Sequence, residues 1–518
     1  MIQKNTLNKE PIRVKRALLS VFDKNNIIDI GKVLIDNEIE ILSTGGTADA
    51  LRNNNINVTD VSDYTHFPEI MDGRIKTINP LIEGGILGLR DDHKKEAKEN
   101  LIKWIDLVIC NLYPFSDVIS REDCNVNLAL ENIDIGGPTM IRSAAKNVGW
   151  VCVVVDPLDY TIIINELIKN STISYETRKH LSAKAFGHTA QYDSIIHDYF
   201  KDDQLSNNLT LTYKKKSNLR YGENPHQSAS LYKIINNNEP NILNAIIHQG
   251  KELSYNNIMD ADSALACLKE FDEPACVIVK HSNPCGVSVG NDLLKIYDLA
   301  FNADSISAFG GIVAFNRTCT EDVAEAISKV FVEIVLAPKF DKNSLEIFKN
   351  KKNLRVLEIG EIRKRADKLE VRNIDGGLLV QDVDNKSLRE NDLKVVTKIS
   401  PSKKDIKTAL FAWKVLRHAK SNGILIAKND TTVGLGAGQV SRVDAVSMAL
   451  QKGGDEVAGG VLASDAFFPF RDSIDAIKDS GICSVIQPGG SIRDKEVIAA
   501  CNDHGISMLF TGARCFKH

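Results

Sequence analysis

Lys280-His281 stands at the end of a short apolar run, Ala275 to Val279, and leads into Ser282-Asn283-Pro284-Cys285-Gly286. Loops at the ends of strands collect functional groups in α/β folds. An adjacent lysine and histidine there would supply a fixed cation and a base that titrates near neutrality. A histidine is more often structural than catalytic; the neighbouring lysine and what reads as a rigid Asn-Pro-Cys-Gly turn bring the two readings level. Zinc chemistry of the deaminase kind needs H-x-E with P-C-x-x-C. His281 and Cys285 have no acidic partner and no second cysteine at that spacing, so metal-assisted hydrolysis is not expected.

The first half of the chain carries a second set. Ser43-Thr44-Gly45-Gly46-Thr47 lies between an apolar run and a helical pattern. Its glycines would let backbone N–H groups approach a phosphate at a helix N-terminus. A tight strand-to-helix turn explains the same residues equally well. Gly73-Arg74-Ile75-Lys76-Thr77 adds two cations and a hydroxyl, either a second anion contact or a solvated turn. Asp134-Ile135-Gly136-Gly137-Pro138 runs into a helical stretch, Thr139 to Asn147, that carries Lys146. The exposed N–H groups of Gly136 and Gly137 would suit an oxyanion. Asn111-Leu112-Tyr113-Pro114 ends another apolar run. Together a Tyr, an Asp and a Lys could move protons; alternatively Asp134 caps its helix.

Three further segments are dense in polar or flexible residues. Arg220-Tyr221-Gly222-Glu223-Asn224-Pro225-His226-Gln227 is rich in hydrogen-bonding groups. Gly434-Leu435-Gly436-Ala437-Gly438-Gln439 reads as a glycine-rich turn but does not fit G-x-G-x-x-G with its acidic residue, which excludes a dinucleotide site. Ser464 to Asp472 clusters three phenylalanines between charges; they are core, or one stacks on a flat heterocycle.

Short apolar runs alternating with amphipathic helices must position these groups. Arg16 to Val21, Ile39 to Leu42, Leu107 to Cys110 and Val151 to Val155 read as buried strands, and Asn26 to Asn37 as a helix. That pattern predicts an α/β fold with a parallel sheet covered on both faces. In the second half, Ala275 to Val279, Gly311 to Phe315, Ile424 to Ala427 and Gly460 to Ala463 read as strands. Asp260 to Glu270, Glu321 to Phe331, Lys403 to Ala419 and Val443 to Gln451 read as helices. The polar stretch Lys201 to Asn218 is read as a domain boundary, giving domains 1–205 and 206–518. The second is split near the charged segment Lys351 to Lys368, into sub-domains parting near 351–370.

Bulk composition agrees with this. The 518 residues are 43% hydrophobic and 25% charged, enough for several cores. A net charge of -4 gives no basic excess for nucleic acid or an anionic membrane. The ten cysteines form no C-x-x-C pair, and no run of about 18 apolar residues marks a membrane span. Met1 to Glu10 is polar and lacks a signal peptide's apolar segment, so a reducing, cytoplasmic setting is expected.

Taken together, Leu219 to Gln227, Lys251 to Asn257, Lys280 to Gly286, Gly434 to Arg442 and Ser464 to Asp472 resemble the bifunctional AICAR transformylase / IMP cyclohydrolase family of purine synthesis. The likeness runs from Arg16 to His518 in motif order. It implies an N-terminal, methylglyoxal-synthase-like cyclohydrolase domain and a C-terminal transformylase of two cytidine-deaminase-like sub-domains without zinc. It implies formyl transfer from 10-formyltetrahydrofolate to AICAR, then closure of FAICAR to IMP. It implies a homodimer and no catalytic metal, and leaves a monovalent cation open. Carried over residue by residue, Lys280 and His281 become the transformylase pair. Arg220, Tyr221, Asn429, Phe467, Asp472 and Arg514 become contacts to substrate or folate. Ser20, Lys24, Ser43, Gly46, Thr47, Arg74, Thr77, Asn111, Ile135, Gly136 and Gly137 form the first nucleotide cradle. Lys76, Tyr113, Asp134 and Lys146 become the ring-closing group.

Departures from that family fall beside the cradle. Phe22 stands where relatives have serine, and Asn79, Leu81 and Glu83 replace His, Lys and His; Leu89 stands where Arg is common. A transformylase whose first domain only binds nucleotide, and a non-catalytic sensor, are therefore the alternatives.

Overall fold

The computed structural model describes residues 7–235, 239–364 and 369–518. The first six residues of the polar start, and 365–368 of the charged segment, lie outside them. The chain forms two compact units, one reaching Tyr213 and the other running from Lys214 to His518 apart from a short crossing segment near 234.

The first unit is built on a five-stranded sheet. Its spatial order is Thr59–Asp60, Glu40–Ser43, Arg16–Val21, Leu107–Asn111, Cys152–Val154, and every pairing is parallel. The strands are continuously apolar because both faces are covered. Ala17 and Leu19 join one core with Ile30, Leu34, Leu51 and Ile163. Leu18 joins the other with Ile82, Ile86, Met140 and Ala144. That alternation is the two-residue period of a strand. The helices Ile27–Asp36, Gly45–Arg52 and Tyr160–Asn170 thus cover one face, and Pro80–Leu87, Gly136–Lys146 and Tyr175–Phe200 the other.

The strand order reverses between the first strand of this sheet in sequence, Arg16–Val21, and its neighbour Leu107–Asn111. Beyond the carboxyl ends of strands at such a switch point lies the crevice where open α/β sheets bind ligands.

The second unit holds a twelve-stranded sheet made of two similar halves. From one outer edge inward run Ile246–Gln249, Arg355–Glu358, Ile334–Ala337, Ile312–Phe315, Ala275–Lys280 and Asn283–Val289. From the other run Lys394–Val395, Ser507–Phe510, Ser484–Gln487, Val461–Ser464, Ile424–Lys428 and Thr431–Gly436. The same parallel and antiparallel pairings recur in each. Ser254 and Ser402 open equivalent helices, Tyr255–Leu268 and Lys403–Leu416, each through a capping box. His281-Ser282 and Asn429-Asp430 occupy equivalent two-residue hairpin turns, all four with positive φ. The halves meet where Ser288 stands opposite Thr431.

Two sequence expectations change here. Asn283-Pro284-Cys285-Gly286 is the start of a strand, and the turn is His281-Ser282. Pro284 is tolerated because the ladder slips between Ile278 and Val279. Gly434 and Gly436 likewise lie within the strand Thr431–Gly436 rather than in a turn. A Cβ on them would come 2.1 and 2.0 Å from the carbonyls of Ala449 and Ala445, so these glycines admit the helix Arg442–Gly453 onto the sheet.

The polar stretch Lys201 to Asn218 is not all linker. Tyr213–Leu219 pairs with Ala229–Ile234 as an exposed hairpin. A second exposed hairpin, Leu369–Ile374 with Gly377–Asp382, opens the other half, while Arg355–Glu358 of the charged segment closes the first.

Candidate active sites

At the switch point of the first unit, the chain leaves Val21 and is clamped from two sides. The Val21 N–H donates to Thr47 Oγ1, and that hydroxyl donates back to the Val21 carbonyl, each at 3.0 Å. Asn111 Oδ1 accepts the N–H groups of Phe22 and Asp23 at 2.7 and 2.9 Å. Ser20 pairs in register with Cys110 just before this corner. The Lys24 amino group reaches the Phe22 carbonyl at 3.4 Å, and a Cβ on Gly46 would lie 3.8 Å from it.

Lys76 faces the starts of two helices. A Cβ on Gly45 would sit 3.5 Å from its amino group, and its charge acts on Asp134, just before the helix Gly136–Lys146. Thr77 is buried with its hydroxyl 2.6 Å from where a Gly136 Cβ would be. A third helix, Pro80–Leu87, begins three residues on, capped by Asn79. Helix N-termini carry positive potential and unpaired N–H groups, so the corner suits a phosphate. Gly45 adopts φ +46°, which a side chain would disfavour.

Asp134 is the titratable centre of this corner. Its Oδ1 accepts the Gly137 N–H at 2.8 Å, while the Asp134 N–H donates to Tyr192 Oη at 2.8 Å. Burial pushes its carboxyl above the usual range, opposed by the hydrogen bond from Gly137, the Lys76 charge and the Tyr113 N–H. Tyr113 is half-exposed beside it and meets Phe22 edge to face.

In the second unit, the His281-Ser282 turn is held by Asp260, whose carboxylate accepts the Ser282 N–H at 2.8 Å and the His281 N–H at 3.3 Å. Lys280 Nζ donates to the Phe309 carbonyl at 2.5 Å. Asn256 donates to the Glu223 carbonyl at 3.3 Å, tying the Arg220–Gln227 loop to the same helix. Asn256 and Asp260 are four apart, so loop and turn abut one helix face. Arg220 lies over the Tyr221 ring at 5.6 Å.

A cavity of about 810 Å³ opens among Asn422, Arg442, Phe467, Phe470, Asp472 and Arg514. Arg442, nearly buried, donates to Asp465 at 2.6 Å, Ser464 at 2.8 Å and Asn422 Oδ1 at 2.7 Å. Strand register puts cavity and His281 at one end of the sheet. Ile424 stands beside both Gly436 and Ser464, and the Lys420 N–H donates to Asn283 Oδ1 at 3.0 Å. Arginines, phenylalanines and one carboxylate together fit a flat heterocycle bearing anionic groups.

Comparison with known proteins gives these sites their family. A model described as "AICARFT/IMPCHase bienzyme" matches residues 144–452, and one described as "MGS-like domain" matches residues 26–139. A bifunctional purine biosynthesis protein PurH of Caldicellulosiruptor saccharolyticus is 48% identical over 512 residues, 97% of this chain and 100% of the relative. The chain belongs to the AICARFT/IMPCHase bienzyme family. Its activities are accordingly AICAR transformylase and IMP cyclohydrolase, in purine biosynthesis. A solved structure, described as that of ForH, is 31% identical over 36% of this chain and 100% of its own, with a TM-score of 0.33.

Several residues assigned from the sequence have further contacts or positions in the structure. Ser43 is fully buried and its hydroxyl donates to the Leu19 carbonyl at 2.7 Å, so that group holds the sheet. The Gly137 N–H is taken by Asp134 and is not an open oxyanion donor. Ile135 projects outward, 60% exposed. Arg74 pairs with Glu131 through contacts of 2.6 and 2.7 Å. Lys146 ends the helix that Gly136 begins, about 15 Å along its axis at ~1.5 Å per residue, so one chain does not gather it with Asp134. Asn429 sits at the opposite end of the central strands from His281, about 20 Å away at ~3.4 Å per residue. Asn422 is the asparagine that lines the cavity.

Sequence reasoning missed Asp260, Asn422 and Arg442 as individual site residues. The Gly434 to Arg442 motif contained the arginine without giving it a partner. Among the described residues, no group of three or more His, Cys, Asp and Glu side chains is placed to hold a metal, and no helix is long and apolar enough to cross a membrane.

Proposed function

We propose that formyl transfer runs at the His281 end of the second unit and ring closure at the switch point of the first. The observation that carries the first assignment is the common sheet end shared by the Lys280-His281 turn and the arginine–phenylalanine cavity. The formyl donor is 10-formyltetrahydrofolate, as AICAR transformylases use. The AICAR amine attacks the formyl carbon and His281 accepts the amine proton; the bond from that carbon to the folate nitrogen then breaks as that nitrogen takes up a proton. An ammonium has three donors; with one on Phe309, Lys280 keeps two for the formyl oxygen. Phe467, Asp472, Arg514, Asn422 and Arg442 hold the ligands. Arg220 and Tyr221 contribute from the loop beside the turn.

In ring closure, the carboxamide nitrogen of FAICAR bonds to the formyl carbon and water leaves. Asp134 accepts the nitrogen's proton and Lys76 steadies the developing oxyanion, with Tyr113 beside them. Lys24 and the helix starts at Gly45 and Gly136 cradle the phosphate, while Thr47 holds the chain at Val21 beside them.

We further read the chain as a cytoplasmic homodimer. Two-stranded hairpins are marginal alone, and both hairpins here expose apolar residues, among them Tyr232, Ile234, Leu378 and Leu379. Sedimentation at low concentration tests this: a monomer refutes it. A monovalent-cation requirement is read by comparing rates in potassium, sodium and choline salts. The functional test supplies purified protein with AICAR and 10-formyltetrahydrofolate. Formation of IMP is expected; accumulation of FAICAR alone would reduce the first unit to a binding module.

A further inference from the structure

We propose that Phe22 is a positioning residue for ring closure, its ring fixing the ring of Tyr113 at the mouth of the nucleotide site. This rests on the reading of Tyr113 as part of the ring-closing group. Phe22 directly follows the strand Arg16–Val21, and Tyr113 stands two residues beyond Leu107–Asn111, its neighbour at the switch point. The two rings meet edge to face, centroids 5.4 Å apart and planes at 60°. Phe22 is 49% exposed and Tyr113 48%, so neither belongs to the core.

Both rings are mounted on one corner. Nearly buried Asn111 accepts the N–H groups of Phe22 and Asp23 and donates to the Asp23 carbonyl at 3.1 Å. The same asparagine ends the strand that delivers Tyr113, whose backbone N–H acts on the Asp134 carboxyl. Backbone position is therefore set for both residues, while a half-exposed side chain remains free to change rotamer within picoseconds to nanoseconds. The edge-to-face contact with Phe22 restricts that freedom and favours one orientation of the Tyr113 ring beside Asp134. Half-burial of Phe22 keeps about half of the ~1.5–3 kcal/mol that a fully buried side chain gains, and the edge-to-face contact with Tyr113 adds the directional part of its placement.

An edge-to-face pair is worth ~0.5–1.5 kcal/mol, which converts to about a 2- to 13-fold change at ~1.4 kcal/mol per tenfold. The experiment measures kcat and KM for FAICAR in Phe22→Leu, Phe22→Tyr, Tyr113→Ala and the Phe22→Leu/Tyr113→Ala double variant. Formyl transfer serves as the control for folding. Phe22→Leu is expected to lower kcat for ring closure by about 2- to 13-fold with KM within about twofold, and Phe22→Tyr to restore it. In the Tyr113→Ala background, Phe22→Leu should add nothing. An unchanged kcat, a loss confined to KM, or an equal loss in the Tyr113→Ala background overturns the proposal. Tyr113→Phe keeps the ring and drops the hydroxyl. Full activity there refutes the reading of Tyr113 and the proposal with it; a loss there with a silent Phe22→Leu refutes the proposal alone.

Discussion

Gly137→Ala probes the ring-closing corner with a single methyl group. A Cβ at this position would lie 2.5 Å from Asp134 Oδ2 and 2.6 Å from Leu112 Cδ2. Both distances are too short for contact, and Leu112 is 7% exposed, so it has little room to retreat. The carboxylate must turn, or the start of the helix Gly136–Lys146 must shift. Either movement breaks the 2.8 Å bond from the Gly137 N–H to Asp134. A hydrogen bond to a charged group is worth ~1.5–3 kcal/mol. If Asp134 needs that bond to hold its aim in the transition state, the loss corresponds to roughly a 10- to 150-fold drop in kcat. The assay follows IMP formation from FAICAR in the native and variant proteins, with formyl transfer to AICAR measured in the same preparations. Ring closure should fall within that range and formyl transfer should stay at the native rate. Native ring closure by Gly137→Ala would show that Asp134 does not depend on this cap and would remove the basis for placing the reaction there.

Two other outcomes follow from the same geometry. The folded Asp134 carboxyl is raised by burial, so the folded chain keeps a proton that the unfolded chain has already released. Stability then falls as pH rises through that window, and the ionised group weighs against folding above it. Asp134→Asn removes the charge and keeps an oxygen acceptor: above neutrality its Tm should equal or exceed the native value, the difference closing as pH falls into the carboxylate range, while ring closure collapses. A lower Tm above neutrality contradicts this. In the second unit, Asn422→Ala removes the acceptor for Arg442 and should cut formyl-transfer kcat/KM by about tenfold or more, whereas Asn429→Gly, which suits a positive φ, should stay within about twofold. The reverse pattern would return Asn429 to the site.

Much of this was legible in the chain. The strands of the first unit announced themselves because both their faces are buried, leaving Ala17 to Leu19 and Leu107 to Cys110 apolar throughout. Lys280-His281, Phe467, Asp472 and Arg514 could be picked out by type and by their resemblance to a family. The exposed hairpins were not legible, since a strand without a buried face has no alternation, and Lys214-Lys215-Lys216 reads as linker. Asn422 and Asn429 sit in similar polar contexts a few residues apart; only strand register assigns them to opposite ends of the sheet. Asp260 looked like one more polar residue of a helix, because its partner is a turn twenty-one residues away. The two sub-domains are expected from the family resemblance, but their likeness lies in strand order and tight glycine packing rather than in residue identity: His281 and Asn429 occupy equivalent turns.

Formyl transfer and ring closure are proposed to occupy separate units of one chain. His281→Ala tests this most directly, with IMP formation measured once from AICAR plus 10-formyltetrahydrofolate and once from FAICAR. No IMP should form from the first mixture above the spontaneous rate, and IMP should form from the second at the native rate. Loss of both, or retention of both, would contradict that separation.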